Sequence, residues 1–374
     1  MDFRLSEEQE ALREVARDFL AARWPADKMR AALDAQPALV DDDVWKEIVE
    51  MGWLGVAAPE ASGGIGGGVV TAAVLAEEAG RGILPGPFLS SLTAALAAES
   101  CGDDVLLGEI IEGRSRVALA VEEPGGSWGP DAVCLAATPC DEGWSLSGTK
   151  ILVRDGQEAD VLLVVARAPD GLALLKVPAD VPGLARNRML LMDGQSASEL
   201  VLEDVRVGSD ARLGGGEGGL LEAYEKATVL CAADLLGSAQ ASLELATEYA
   251  KERVQFGRPI GSFQAVSHRL ADDLMKLEIG RSLLYGASLA LDDRRENASA
   301  LVSAAKAWLN EAAIAAVESA LQIHGGVGFT WEYDVHLHMR RVRCNVACHG
   351  DADFHRDRVA SHMDAALAAE GSGP

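Results

Sequence analysis

The hydrophobic period changes twice along this chain, and that change decides what it can fold into. Residues 1–115 follow a helical spacing, residues 116–210 break into short runs divided by turns, and residues 211–374 return to the helical spacing. Ser6 with Gln9 three positions on is a capping-box pattern for a helix over Glu7–Arg23. Leu12, Val15, Phe19 and Leu20 share one face of it. A second helix is expected over 42–51. The glycine-rich 61–68 reads as a loop, and a helix resumes over 70–79 and stops at Gly80. No strand precedes that glycine run and no Gly-Lys-Ser/Thr follows, so it is a turn, not a phosphate loop.

The middle segment carries short apolar or alternating runs at 117–121, 133–137, 150–153, 161–166, 172–177 and 199–205. Pro124-Gly125, Asp155-Gly156, Pro169-Asp170-Gly171 and Pro182-Gly183 separate them, which predicts a compact antiparallel β domain. Beyond Gly214-Gly215-Gly216-Glu217-Gly218-Gly219, long helices are expected over 220–253, 264–294 and Ala298–His324. Asn297 is placed to cap the last of these, and a final helix starts at about Asp351. The predicted fold class is therefore α+β. It comprises an N-terminal helical domain (1–115), a middle antiparallel β domain (116–210) and a C-terminal long-helix bundle (211–374). Apolar positions such as Leu270, Leu274, Leu277, Leu284 and Leu309 are assigned to the bundle core.

Charge narrows the partners. There are 33 basic and 58 acidic residues, a net charge of −25, so nucleic acid and anionic membrane surfaces are unlike partners. The start shows no basic and apolar leader pattern, and no run reaches the ~20 uncharged apolar residues of a membrane span. Six scattered cysteines read as reduced thiols, which leads us to expect a cytoplasmic protein. In so acidic a chain, an anionic ligand needs basic residues gathered locally.

Two segments supply candidates. In Arg253-Val254-Gln255-Phe256-Gly257-Arg258-Pro259, two arginines flank a glycine turn, with Gln264 on the next helix. Guanidinium groups there suit a pyrophosphate, although a helix C-terminus with a basic last turn explains the same residues. In Gln322-Ile323-His324-Gly325-Gly326-Val327-Gly328 a helix runs into glycines whose bare backbone lets a ligand approach. A glycine stop explains that segment equally well in isolation.

Taken together they are far more specific, and the chain resembles the acyl-CoA dehydrogenase family over essentially its whole length. The resemblance rests on Leu5-Ser6-Glu7-Glu8-Gln9, Gly52-Trp53-Leu54-Gly55-Val56, Glu123-Pro124-Gly125 and Gly148-Thr149-Lys150. It also rests on Leu202-Glu203-Asp204-Val205-Arg206-Val207, Arg253-x-x-Phe256-Gly257 and Gln322-x-x-Gly325-Gly326. It implies the family's α, β, α fold, an acyl-CoA substrate and FAD as cofactor. It implies further that Arg253, Phe256, Gln264, Gln322, Gly325 and Gly326 hold the pyrophosphate and adenosine half of a neighbouring subunit's FAD.

The same alignment exposes departures. The family's glutamate base falls here on His349 within Cys348-His349-Gly350-Asp351, and its alternative position on Ala227, beside Thr228. Neither position carries a carboxylate. Glu222 and Glu225 nearby read as solvated helix charges. His349 and Asp351 are the candidate substitute bases, since a neutral imidazole accepts a proton near pH 7. In the flavin-facing motif Val121-Glu122-Glu123-Pro124-Gly125-Gly126-Ser127-Trp128, a glutamate stands where the family has threonine. Ile151-Leu152-Val153 lacks the family's stacking tryptophan.

Residues acting on a neighbour's FAD thus match the family, while those acting on the chain's own do not. The pattern resembles heteromeric acyl-CoA dehydrogenases of sterol side-chain breakdown. It implies a base-deficient, FAD-supporting subunit that requires a related acyl-CoA dehydrogenase chain. Two alternatives are a self-sufficient enzyme and a non-catalytic scaffold subunit. No metal site is expected. Cys344, Cys348, His349 and His355 lack a zinc-site spacing, and His336 and His338 read as part of a structural turn.

Overall fold

The computed structural model describes residues 5–371. Residues 1–4, on which part of the reading of the chain's start rests, and 372–374 lie outside the described residues. The elements in chain order are six helices, seven strands, one long helix, a two-strand hairpin and four further helices. The first six are α1 (Glu7–Arg23), α2 (Ala26–Ala35), α3 (Asp42–Glu50), α4 (Gly68–Arg81), α5 (Phe88–Ser100) and α6 (Asp104–Ile111). The sheet follows as β1 (Val117–Ala120), β2 (Ala136–Cys140), β3 (Gly143–Arg154), β4 (Val161–Ala168), β5 (Gly171–Pro178), β6 (Leu184–Leu190) and β7 (Ser196–Gly208). Then come α7 (Gly216–Glu252), β8 (Val254–Gln255), β9 (Arg258–Pro259), α8 (Gln264–Asp292), α9 (Ala298–His324), α10 (Val335–Asn345) and α11 (Ala352–Gly371).

The capping box forms as expected. Gln9 N donates to Ser6 Oγ at 3.2 Å, and Ser6 N donates to Gln9 Oε1 at 2.9 Å. Ala16 and Leu20 are the buried positions of α1, while Val15, assigned to the inward face, is exposed. α2 and β6 carry little apolar pattern. α2 buries only Met29 and Leu33, and β6 is an edge strand, paired only to β7, on which Arg186, Asn187 and Arg188 break the alternation.

The middle sheet corrects one expectation, because it is mixed and not purely antiparallel. β1 pairs β4 in parallel from Val117↔Val161 to Ala120↔Val164, and β2 meets β4 in parallel at Ala136↔Arg167. All other pairings in it are antiparallel, in the order β1-β4-β2-β3-β7-β6 with β5 on β4. Parallel neighbours need a long crossover, and the β2–β3 hairpin supplies it between β1 and β4. Turn residues mark where strands end but not which strand lies alongside. The central β4 is accordingly buried on both faces from Leu162 to Ala166.

The chain divides into two compact units. Residues 27–72 and 84–227 hold the sheet with α2, α3, α5 and α6. The core of that unit is built on Leu146, Leu162, Val164, Leu175, Val177, Leu200 and Val205. Residues 1–26, 73–83 and 228–374 hold the helical bundle, where α8, α10 and α11 pack on α9. In the bundle, α10 buries His336, His338, Arg341 and Asn345, so its inward face is polar and hides its periodicity. The stretch leading to His336 and His338 is therefore a helix start, not a turn. Leu277, Leu284 and Leu309 are core as expected, but Leu274 is exposed. By length and composition alone, 18-residue windows that admit up to two charges in α7 and in the helix from Ala298 to Phe329 are apolar enough to cross a membrane. Both windows are mostly buried within the protein.

Where α4 crosses α7 in the bundle, the backbones touch. A Cβ on Gly80 would fall on the carbonyl of Asp234, and one on Gly237 would fall on the carbonyl of Glu77. Only glycine permits this approach on either side. Gly237→Ala is expected to lose about 2 kcal/mol of unfolding free energy, read from the urea midpoint at constant m-value.

Candidate functional site

The two candidate segments meet at one end of the helical bundle. Tyr249, in the last turn of α7, stacks on His324 at the end of α9, with ring centroids 4.4 Å apart, and Tyr333 closes edge-on against both. His324 Nδ1 donates to the Ala320 carbonyl at 2.8 Å, and burial holds its pKa below the usual value, so the ring is a neutral strut. Residues 253 and 322, far apart in sequence, are thereby tied to the same helix ends.

The surface built there is open and partly apolar. β8 and β9 form a two-residue hairpin in which Phe256 (φ 52°) and Gly257 (φ 78°) both take left-handed conformations. The turn presents the Phe256 ring at 93% exposure, edge-on to Phe263, while the Arg258 guanidinium lies 4.1 Å above the Phe263 ring. Arg253, Gln264 and Gln322 are all exposed. At Gly325 the backbone has φ 65° and ψ −144°, a region only glycine occupies freely, and a Cβ on Gly325 or Gly326 would meet open space. Sequence reasoning missed Phe329 and Trp331, which are exposed just beyond the glycines. Their apolar character on a helix-end loop was the available signal.

Within the β-sheet unit, the segment after β1 is differently equipped. Lys150 is fully buried and donates to the Val121 carbonyl and to Glu123 Oε1, each at 2.7 Å. Glu123 also accepts from Cys134 N and Leu135 N, both at 2.9 Å. Burial pushes the Glu123 carboxyl up, but the Lys150 bond and the two amides outweigh it and leave the pKa below the ordinary range. Burial likewise pulls the Lys150 ammonium down to about 8 against Glu123. These two residues are structural clamps.

Glu122 is the exception. Burial raises its carboxyl to about 7, although the Gly129 amide bonds it and Lys150 attracts it, and its Oε1 is buried with no hydrogen-bond partner. Near neutral pH this group is a half-ionised acid in an apolar setting. That environment opposes a further negative charge placed beside it.

The expected bases are also located. His349 follows α10 in a left-handed conformation (φ 56°), and its carbonyl accepts from His355 Nε2 at 2.8 Å. Burial lowers the fully buried His355 to about 3, so it is a neutral donor. Asn310 Nδ2 donates to the Gly350 carbonyl at 3.3 Å, which fixes the next residue. Asp351 is exposed and its Oδ1 accepts from Phe354 N at 2.9 Å, the bond of a cap for α11. Ala227 and Thr228 are buried. Glu222 is half-buried and pairs at 2.8 Å with the buried Lys226, and Glu225 is buried at 6% exposure, so neither is the solvated charge expected. Among the described residues no group of three or more His, Cys, Asp or Glu side chains is arranged to hold a metal ion.

Comparison with known proteins agrees with this layout. The acyl-CoA dehydrogenase N-terminal domain family matches residues 6–103, and the acyl-CoA dehydrogenase C-terminal domain family matches residues 220–363. Acyl-CoA dehydrogenase IpdE2 of Mycolicibacterium smegmatis is 30% identical over 94% of this chain and 95% of its own length. Among solved structures, a variant of the Tcur3481-Tcur3483 steroid ACAD is 34% identical over 97% of this chain and 99% of its own, with a TM-score of 0.90. The ChsE4-ChsE5 complex from Mycobacterium tuberculosis is 27% identical over 100% of both chains, also at 0.90.

The buried Glu122 carboxyl makes a direct prediction. Its folded pKa of about 7 lies above its ordinary 4.5, so the folded state keeps a proton that the unfolded state releases in between. Stability therefore falls as pH rises through that window. Glu122→Gln is expected to flatten the slope. The gain is up to about 3 kcal/mol above the window and nil below it, read from urea unfolding across pH.

Proposed function

Because the chain belongs to the acyl-CoA dehydrogenase family, we propose that it is the FAD-supporting, base-deficient subunit of a heteromeric acyl-CoA dehydrogenase. The family oxidises CH–CH bonds of acyl-CoA thioesters, and FAD supplies the hydride acceptor when bound. The observation that carries the proposal is an asymmetry. The exposed Arg253, Phe256, Gln264, Gln322 and Gly325-Gly326 surface fits the anionic and adenosine parts of a flavin held by another subunit. The Glu122 environment does not fit a reduced flavin of the chain's own, since the charge gained on reduction would meet a buried carboxyl.

In this reading Arg253 binds pyrophosphate oxygens through charge-assisted bonds and Phe256 packs on the adenosine half. Gln264 and Gln322 orient it, and the bare backbone at Gly325 and Gly326 admits close approach. The partner chain supplies the base. That the Tcur3481-Tcur3483 and ChsE4-ChsE5 structures are named as pairs of chains supports a two-chain assembly, and the steroid named with the first supports a sterol-derived acyl-CoA. All six cysteines are free thiols, which suits a reducing cytoplasm.

The test is the visible absorption spectrum of the purified chain. Expressed alone it should be colourless and inactive. Co-expressed with the right acyl-CoA dehydrogenase chain of the same organism, it should copurify with flavin that bleaches on adding acyl-CoA. A full complement of FAD on the chain alone, reduced by acyl-CoA, overturns the proposal.

One observation favours a second reading, that of a self-sufficient enzyme. His349, at the family's base position, is held in a left-handed backbone conformation, the kind of local strain that collects at working sites. If it is the base, His349→Ala lowers turnover at least about a hundredfold. Unchanged turnover in that variant excludes it.

A further inference from the structure

One recess in the helical bundle carries a carboxylate oxygen with no hydrogen-bond partner among the described residues. α8 and α9 are pressed together where a Cβ on Gly280 would strike Leu309. Towards the start of α8 they leave a recess of about 320 Å³, lined by Arg269, Asp272, Asp273, Lys276, Ala315, Glu318 and Ser319. The small Ala315 and Ser319 on α9 leave the space open. Asp273 is only 2% exposed, and its Oδ2 is buried without a hydrogen-bond partner. An isolated buried carboxylate oxygen is costly and calls for a cationic donor.

The neighbouring side chains do not meet that demand. Arg269 Nε is committed to Ser319 Oγ at 2.8 Å, and Glu318 is paired with Arg343. Lys276 stands 3.5 Å from the other oxygen, Oδ1, beyond good hydrogen-bond length. Arg269 and Lys276 balance the charge of Asp272 and Asp273, yet neither is placed as a donor to Asp273 Oδ2. Among the described residues no group of three or more His, Cys, Asp or Glu side chains is arranged to hold a metal ion.

The surroundings point to a protein donor. Gln264, His268, Asp272, Met275 and Ile279 recur at helical spacing along one exposed face of α8, and Leu274 is exposed beside them. Apolar side chains on a solvent face next to a buried acid have the composition of a protein contact. That face begins at Gln264, which the proposal above turns towards another subunit's flavin. Two copies of a chain with charge −25 repel each other, which disfavours self-association as the source.

We infer that the α8–α9 recess is a socket for an arginine or lysine of the related partner chain. This rests on the two-chain reading above. The guanidinium or ammonium enters past Asp272 and bonds Asp273 Oδ2, while Met275 and Ile279 seal the edge of the contact.

The test compares the chain alone with its complex with the partner that restores flavin, using Asp273→Asn. Removing a buried, unneutralised charge should leave the melting temperature of the chain alone unchanged or raised. Association measured by analytical ultracentrifugation should weaken on the order of tenfold or more and lose part of its salt dependence. Ala315→Lys provides a second variant that fills the socket from within; the chain should fold and the complex should fail to form. Unaltered association in both variants overturns the socket and leaves the two-chain reading standing. A fall in the melting temperature of the chain alone equal to that of the complex makes Asp273 a structural acid and overturns it too. Weakening of a self-associated form would assign the socket to a second copy. If the unaltered chain recruits no partner at all, both inferences fall.

Discussion

The bundle depends on one buried ion pair. Arg341 of α10 donates to both oxygens of Asp234 on α7, from Nε at 2.8 Å and from the terminal nitrogen at 2.6 Å, and both side chains are fully buried. Asn345, one turn on, bonds the same carboxylate. Two charges at that depth are tolerated because the pairing is bidentate and Asn345 shares the carboxylate, and removing one partner typically costs about 3–5 kcal/mol. The pair fixes α10 on α7, and the consequences run outward. The Asn345 carbonyl accepts from Lys306 Nζ of α9 at 3.0 Å and from Cys231 Sγ of α7 at 3.4 Å. The loop that follows is then pinned through the His349 and Gly350 carbonyls by His355 and Asn310. A polar spine thus holds the segment around His349, the position to which the resemblance assigns the family's base.

For the supporting subunit proposed above, keeping the frame without an acid at His349 makes physical sense. The loop's backbone bonds are structural and must stay satisfied in the core whatever side chain it displays. A carboxylate base, by contrast, needs its pKa brought up towards the working pH, and burying it to do so is costly where no substrate reaches it. The β-sheet unit repeats the logic. Glu123 and Lys150 keep the turn after β1 in shape, while Glu122 occupies the place of the family's threonine with a carboxyl raised by burial to about 7. In the proposed reading, charge and exposure leave one surface to serve a neighbour and one site unsuited to a flavin of the chain's own.

Much of the fold was legible because local rules and tertiary structure agreed. The Ser6–Gln9 box started α1, the apolar run over Ala298–His324 became α9 without shift, and five of the six strand runs, 117–121, 150–153, 161–166, 172–177 and 199–205, lie on β1, β3, β4, β5 and β7. The misses share a cause. α10 escaped notice because its inward face carries histidines, an arginine and an asparagine, whose burial is made affordable only by partners distant in sequence. β6 escaped because an edge strand buries little and so needs no alternation. The sheet's parallel pairings, the exposure of Leu274 and the burial of Glu225 lay beyond reach for the same reason: neighbours, not periodicity, decide them.

What the sequence determined by itself was the α, β, α order, the family and the residue types offered at each candidate position. These follow from spacing and chemistry that act within a few residues. Only the tertiary structure decided that the Arg253 and Gln322 segments share one open surface through Tyr249 and His324. It alone decided that Glu122 sits as a half-neutralised acid and that Asp273 lies buried with an oxygen unsatisfied. Burial sets the dielectric around a charge and selects which distant partner can reach it, and neither quantity exists until the chain has packed.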